Sequence, residues 1–367
     1  MTTTALYQRL ASTGARLGPY AGAETAVSFA GPAAELHILY SSAGIFDLAW
    51  RGKIIVTGQD RGRWLNGMLT NNVRDLPVNH GNYNFLLNSQ GRILGDMYVY
   101  NRGEYLLLDT DQSQLAAIVK TLDHFIIMDD VELSDASETL TALGICGPRA
   151  SQVLTAAGVD VAGLQPLELR DLTVSNVGVT VVRGPEQKPG WFEIWVSSAN
   201  VESIWDLLSK AGGQPVGTDA LEFWRILHGI PRYGQDIRER DLPQETEQNQ
   251  ALNFTKGCYV GQEIVERIRS RGQVHRKFTG FEFENGLPEP GKVEENGRVV
   301  AEITSVARVP LGTTKKDITG KDTTEKNVAL GYVRRESGSS GSAIQLNGKA
   351  GKIASLPFAF ASEISLT

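Results

Sequence analysis

The sequence predicts an α+β protein made of two similar lobes and a small C-terminal antiparallel β-barrel, and three observations carry that expectation. Strands come in runs and do not alternate singly with helices, which excludes a doubly wound parallel sheet. The order strand, helix, strand, strand, helix occurs twice, once before and once after about residue 140, without obvious residue identity between the copies. After about residue 278 the text turns to short strands punctuated by glycine, the pattern of a small barrel. The expected divisions are 1–139 for the first lobe, 140–277 for the second and 278–367 for the barrel.

Length and composition agree with this division. A chain of 367 residues exceeds what one hydrophobic core usually serves, and its 41% hydrophobic and 21% charged residues give ample material to bury. A formal net charge of -6 argues against a general nucleic-acid binder, so any anion site must be local. Two cysteines are too few for a disulfide framework or a self-contained zinc or cluster site, and a reducing cytoplasm suits them best. No run of 18 apolar residues marks a membrane span.

Taken in order, "MTTTALYQRLASTGARLGPY" has two arginines and no acid, a trace of transit-peptide composition. A short native helix with Leu6, Leu10 and Leu17 facing inward is the better reading. "KIIVTGQ" is a strand, "DRGRWLNGML" a helix begun by Asp60, and "YNFLLNSQGRILGDMYVYNRGEYLLLDT" a three-strand meander. Asp111 then caps a helix whose Leu115, Ile118, Val119 and Leu122 recur at helical spacing.

The second block repeats the order. "LTALGICGPRASQVLTAAG" is a strand and a short helix, "LTVSNVGVTVVRG" and "WFEIWVSS" are strands, and "VESIWDLLSKAGG" and "TDALEFWRILHG" are helices. "GQEIVERIRSRG" reads as a helix with Ile264, Val265 and Ile268 on one face and a Glu263–Arg267 pair. The alternation of Arg267, Arg269 and Arg271 makes a strand the rival reading. In the last third, "LGTTKKDITGKDTTEKN" is nearly free of apolar residues and is expected to form a long, mobile hairpin loop.

Chemistry is suggested first by "KGCYVGQE", residues 256–263, which holds one of the two cysteines. Cys258 would stand just before a helix start, two residues from Lys256, and both features favour a thiolate. A small residue packed in a tight turn is the alternative. Arg267, Arg269, Arg271, Arg276 and Lys277 crowd within a dozen positions, which suggests either a grip on a carboxylate or phosphate tail or a solvated face. Glu245 could accept two parallel N–H bonds from an aminopyrimidine edge, and Asp96 could bond a ligand nitrogen or end a turn. Tyr83, Tyr98, Trp224 and Tyr233 could stack on a flat ligand or belong to the core.

Together these residues carry a resemblance. "KGCYVGQE" resembles the signature of the YgfZ family, folate-binding proteins that help make or repair iron-sulfur clusters and are related to the glycine-cleavage T-protein, an aminomethyltransferase. "AGIFDLAWRGKIIVTGQDRGRWLNGMLTNNV", "YNFLLNSQGRILGDMYVY", "ICGPRA", "WRILHGIPRYGQDI" and "LPQET" resemble the same pattern in the right order, over roughly residues 35 to 280.

The resemblance implies a folate fold of two α+β lobes plus a barrel, with tetrahydrofolate, polyglutamylated forms included, in a central channel. Glu245 matches the carboxylate that holds the pterin. Asp96 matches one member of an Asp pair whose other member is here Gly95. Tyr83 matches a ring beside the pterin and Arg276 a basic residue near the glutamate tail. Lys256, Gly257, Cys258, Tyr259, Gly261, Gln262 and Glu263 carry the motif, with Cys258 as its functional residue.

The function expected on that basis is assistance to iron-sulfur cluster assembly or repair in client enzymes, with no membrane and no nucleic acid involved. A folate-dependent aminomethyltransferase is the alternative, and a non-catalytic folate sensor a third reading. Cys146 is expected to be a buried strand residue.

Overall fold

A computed structural model describes residues 2–295, 297–316 and 322–366 and separates into two compact units. The first comprises Met1–Ser89, Leu94–Ala220 and Gln250–Gln262, and the second Gln90–Ile93, Leu221–Asn249 and Glu263–Thr367.

The chain opens with β1 (Thr2–Thr3), α1 (Tyr7–Ser12), β2 (Arg16–Tyr20) and β3 (Ala23–Ser28), and the three strands form a small sheet. Leu6 and Leu10 are buried as expected, but Leu17 lies on β2, because Gly14 at φ +79° turns the chain out of the helix before reaching it. There follow α2 (Pro32–Ser41), β4 (Gly44–Asp47), β5 (Arg51–Thr57), α3 (Arg61–Met68), β6 (Gly81–Leu87), β7 (Ile93–Asn101), β8 (Leu106–Asp111), α4 (Gln112–Asp123) and β9 (Glu132–Asp135). β10 (Leu140–Cys146), α5 (Ala150–Ala156), β11 (Leu169–Val174), β12 (Val177–Arg183), β13 (Trp191–Ser197), α6 (Val201–Lys210) and β14 (Gln214–Pro215) complete the sequence up to α7 (Thr218–Leu227).

Two sheets dominate the first unit. One has the order β6-β7-β8-β5-β9 and the other β11-β12-β13-β10-β4-β14. β4 therefore leaves the first block and pairs with β10 of the second, in antiparallel register from Asp47 opposite Leu143 to Gly44 opposite Cys146.

Period-two alternation gives each sheet an apolar face. Met97 and Val99 of β7 pack with Leu115, Ile118 and Leu122 of α4 in one core, while Phe192, Ile194 and Val196 of β13 pack with Ile204, Trp205 and Leu208 of α6 in the other. The intervening residues of β7 and β13 point the other way, and they build the site.

Neither helix expected to be capped by an aspartate uses that side chain as a cap. Asp60 and Asp111 do occupy the N-cap positions of α3 and α4 without a side-chain cap bond. Asp60 instead accepts from the Asp130 N–H at 3.1 Å, and buried Asp111 accepts from Arg51, a charged donor that outbids the helix N–H groups.

In the second unit, α8 (Gln262–Arg271) is a helix, which rejects the strand alternative; Val265 is buried between half-buried Ile264 and Ile268. Its described ion pair is Glu266–Arg269 at 3.5 Å, in place of the expected Glu263–Arg267. β15 (Arg276–Phe283), β16 (Gly291–Glu295), β17 (Arg298–Lys316), β18 (Asp322–Arg334), β19 (Ala343–Leu346) and β20 (Lys349–Ala354) form one curled antiparallel half-barrel sheet, ordered β16-β17-β18-β15-β20-β19. Phe281, Phe283, Ile303, Ala329, Val333 and Ile353 fill its core. Of the stretch expected as a mobile loop, residues 311–316 and 322–327 extend β17 and β18, with Lys315 opposite Thr323 and Lys316 opposite Asp322. Backbone pairing replaces the missing apolar burial there. Residues 317–321 of that stretch lie outside the described residues.

Candidate functional site

Strand alternation in the first unit brings together a polar and aromatic face. On β7 the residues opposite the core are Asp96, Tyr98 and Tyr100, and on β13 they are Trp191, Glu193 and Trp195. Cross-strand register sets Tyr98 opposite Asp109 and Asp109 opposite Lys53. Tyr100 meets Trp195 edge-on at 4.9 Å, and the Lys53 ammonium stands 5.2 Å from the Trp195 ring centre.

Asp96 sits at the heart of this face. Its carboxylate accepts from the Tyr83 hydroxyl at 2.5 Å and from the Gln114 amide at 2.7 Å. Burial and then the charge of Asp111 raise its pKa above the usual aspartate range, against the opposing pull of those two hydrogen bonds and Arg51. Asp109 behaves oppositely. Burial would raise it, but Arg51 and Lys53, the latter 2.7 Å away and fully buried, hold it below the usual range.

Gly95 is tightly surrounded: a Cβ there would stand 3.0 Å from Ile118 Cγ1 and 3.3 Å from Gln114 Oε1, so a second aspartate would require these neighbours to shift, and the side chain that bonds Asp96 from this side is Gln114.

Above this network lies a cavity of about 180 Å³ walled by Tyr83, Tyr98, Pro166 and Leu167, with the amides of Asn82 and Gln250 and the loop 185–187 at its edge. Aromatic faces with a few convergent amides suit a flat heteroaromatic ring.

Two residues that sequence reasoning passed over belong here. Glu193 is buried and takes the indole N–H groups of Trp191 at 3.2 Å and Trp195 at 3.0 Å. Lys188, half-buried in the cavity loop, stands 4.5 Å from the Trp191 ring centre and 5.9 Å from that of Tyr98; burial lowers its pKa. The signal for Glu193 was available, since "WFEIWV" places an acid between two tryptophans on the face opposite Phe192, Ile194 and Val196.

The KGCYVGQE octet folds as a corner. Lys256 gives its ammonium to the carbonyls of Asn66, Leu69 and Asn71 at 2.6, 2.6 and 2.8 Å, where α3 ends, and stands 5.0 Å from the ring centre of buried Tyr259. Burial lowers its pKa to about 7. The expected role of Lys256 as the cation beside the thiol is therefore corrected: its ammonium is spent on three carbonyls at the end of α3. Cys258 is exposed, Gly257 borders open space, and Gly261 adopts φ +82°, which a side chain would strain, just before Gln262 and exposed Glu263 begin α8. Cys146 is buried on β10, and burial pushes its thiol far up.

Glu245 and Arg276 come together in the second unit. Arg276 binds Asp241 at 2.6 Å, Glu245 at 2.9 Å and Glu302 at 3.2 Å, and its guanidinium lies 4.4 Å from the Tyr332 ring centre. The other duty of Glu245 is to accept the Leu242 N–H at 3.2 Å. Both described bonds of Glu245 fall on Oε2, and Arg276 is shared among three carboxylates. Trp224 is buried and stacks on His228 at 4.1 Å, which makes it a core residue.

The α+β architecture and a first-unit pocket with an aromatic wall beside a half-buried acid define the class at the level of fold. Comparison with known proteins makes the assignment specific. The family of the GCVT N-terminal domain matches residues 6–256. An aminomethyltransferase of Rubrobacter xylanophilus is 31% identical over 315 residues, covering 84% of this chain and 83% of the relative. One of Symbiobacterium thermophilum is 29% identical over 346 residues, covering 90% and 88%. The glycine cleavage system aminomethyltransferase T of Bartonella henselae shares the fold, with a TM-score of 0.83 at 21% identity and 98% of each chain covered. The chain belongs to the GCVT aminomethyltransferase family.

These relatives overturn the expected role in iron-sulfur cluster assembly, together with its client enzymes. The octet gave that expectation its weight, yet proteins named for aminomethyl transfer match nearly the whole chain.

Proposed function

We propose that this protein is a folate-dependent aminomethyltransferase, with tetrahydrofolate as acceptor. The observation that carries the reading is Asp96, a carboxyl of raised pKa hydrogen-bonded by uncharged donors beneath an aromatic-walled cavity. The residues suit the cofactor: Tyr83 and Tyr98 offer faces to a pterin ring, and Asn82 and Gln250 offer amides to its edge. When bound, tetrahydrofolate supplies the amine that receives the one-carbon unit.

The chain's own residues do the rest. Asp96 keeps its proton to higher pH than an ordinary aspartate, and Tyr83 and Gln114 fix its two oxygens in orientation. Glu193, whose two oxygens are oriented by one indole N–H each and keep a further lone pair apiece, is the carboxylate we assign to the ring edge in place of Glu245, which belongs to the second unit and pairs with Arg276. Basic residues around Arg276 support polyglutamylated forms of the cofactor as ligands. The octet supports placing the chain, by signature alone, in the branch of the family that resembles YgfZ. Two free cysteines support a cytoplasmic setting, and no described helix is long and apolar enough to cross a membrane.

The test is direct. Purified protein given tetrahydrofolate and an aminomethyl-loaded lipoyl carrier should release ammonia, and Cys258→Ser should release it equally well. Absence of folate-dependent ammonia release would overturn the proposal.

A further inference from the structure

We propose that the outer edge of β9 and the loop before it form a docking surface for a partner protein, and that the segment it takes is an extended peptide in which basic and apolar residues alternate. The proposal stands apart from the transferase reading, because none of its residues is among those lining the cavity of the first unit.

The loop from α4 to β9 supplies the apolar part. Among the described residues four large hydrophobic side chains are exposed, and three of them, Phe125, Ile127 and Met128, stand in this loop. Ile127 and Met128 are adjacent and 82% and 94% exposed, so nearly all of their apolar surface meets water. Loose packing does not account for this. The Phe125 carbonyl accepts from the Trp64 indole N–H at 3.2 Å, Asp129 holds Arg63 at 2.6 Å, the Asp130 carboxylate accepts from the Gln59 N–H at 3.1 Å, and the Asp60 N–H donates to the Asp130 carbonyl at 3.2 Å. A loop tied down on both sides of the apolar pair presents it outward as a fixed feature of the fold.

The strand that follows supplies direction and charge. Among the described strands β9 pairs with β5 alone and ends its sheet, so one side of Glu132–Asp135 offers backbone N–H and C=O groups to an added strand. Residues 121–139 hold six carboxylates, Asp123, Asp129, Asp130, Glu132, Asp135 and Glu138, and no lysine or arginine. The elements packed against the loop do not balance them. Arg61 of α3 is spent on the carbonyls of Gly58 and Gly103, and Arg63 is shared by Asp60 and Asp129, which leaves exposed Lys120 and His124 at the end of α4. An anionic membrane or a nucleic acid is therefore repelled, and a second copy of the chain would set Glu132 and Asp135 against their own counterparts. A basic strand escapes both penalties: its cationic side chains meet the carboxylates while its apolar ones cover Ile127 and Met128.

Fluorescence anisotropy on the full chain, at about 0.15 M salt, tests this with a labelled peptide of about eight residues in which lysine alternates with valine and isoleucine. Two altered peptides serve as controls, one with glutamate for every lysine and one with proline at the central apolar positions, which cannot donate in a ladder. The lysine peptide should bind saturably and one to one, and each control about tenfold more weakly or worse. Ile127→Ser with Met128→Ser, and separately Glu132→Lys with Asp135→Lys, should each lower the affinity about tenfold. Both double variants should melt with the wild type, since all four side chains are exposed. Bound peptide should also slow hydrogen exchange of the Glu132–Asp135 amides about tenfold. Absence of saturable binding, a control peptide that binds as well, affinity that survives both double substitutions, or protection elsewhere than β9 would overturn the proposal. So would a wild-type dimer in sedimentation that Ile127→Ser with Met128→Ser dissociates, which would give the surface to a second copy.

Discussion

The two units each bury a cluster of acids, and they hold them by opposite means. In the first unit Asp96 is hydrogen-bonded by a hydroxyl and an amide, both uncharged, and its pKa rises. In the second, Glu302 receives Arg238, Arg240 and Arg276, and although burial alone would raise its pKa, these partners lower it. A half-buried carboxyl held by neutral donors keeps a proton within chemical reach, while one held by guanidinium groups is a fixed anion that ties strands together. The contrast separates a candidate for chemistry from a structural knot, although Glu245 and Asp96 looked equally promising as isolated letters.

The largest effect should come from breaking the knot. Arg276→Ala leaves fully buried Asp241 beside Glu245 and Glu302 without their shared cation and should destabilise the protein by about 3–5 kcal/mol in urea denaturation. A loss below about 1 kcal/mol would erase the distinction drawn here.

Next comes Asp96→Asn, which keeps shape but removes the titrating group. Folate-dependent ammonia release should fall about 100-fold or more in kcat/KM. Near-normal activity would leave the first cluster without its chemical role.

Gly95→Asp restores the missing acid of the pair at a position where Ile118 already stands 3.0 Å from the new Cβ, so about 1–3 kcal/mol of stability should be lost. An unchanged unfolding midpoint would show that α4 yields at that point.

The smallest effect is the most discriminating, because its sign differs between the clusters. Asp96 is raised, so its contribution to stability is present below the ordinary aspartate value of about 3.9 and is lost as pH climbs through its folded value. Asp96→Asn should therefore gain on the wild type as pH climbs above about 4. Glu302 is lowered, so its contribution is present above about 4.3 and disappears as pH falls through its folded value. Glu302→Gln should be less stable than the wild type at pH 6 and converge with it under acid. Denaturation series across pH for both variants give the two slopes, and slopes of equal sign would refute the comparison.

Much of the local structure was legible from letters. Helix α4 followed from Leu115, Ile118 and Leu122, and β6 to β8 from their turns, because amphipathic period and turn chemistry are local properties. The aspartates at 60 and 111 were misjudged in role, since nothing nearby in sequence announced that Arg51 would arrive beside Asp111. The octet KGCYVGQE was over-weighted for a related reason. Its lysine looked like an activator of the neighbouring thiol, and the fold instead spends it on three carbonyls some 185 to 190 residues away.

By itself the sequence determined the α+β class, the strand-rich C-terminal third and the residues that alternate toward each core, because burial period is written along the chain. Tertiary structure alone decided which acids share a cation and which do not. It placed Tyr83 and Gln114 on Asp96, Trp191 and Trp195 on Glu193, and Arg276 among three carboxylates. The reason is that a carboxyl's pKa depends on charges within a few ångströms, and those neighbours are brought in by strand register from distant parts of the chain.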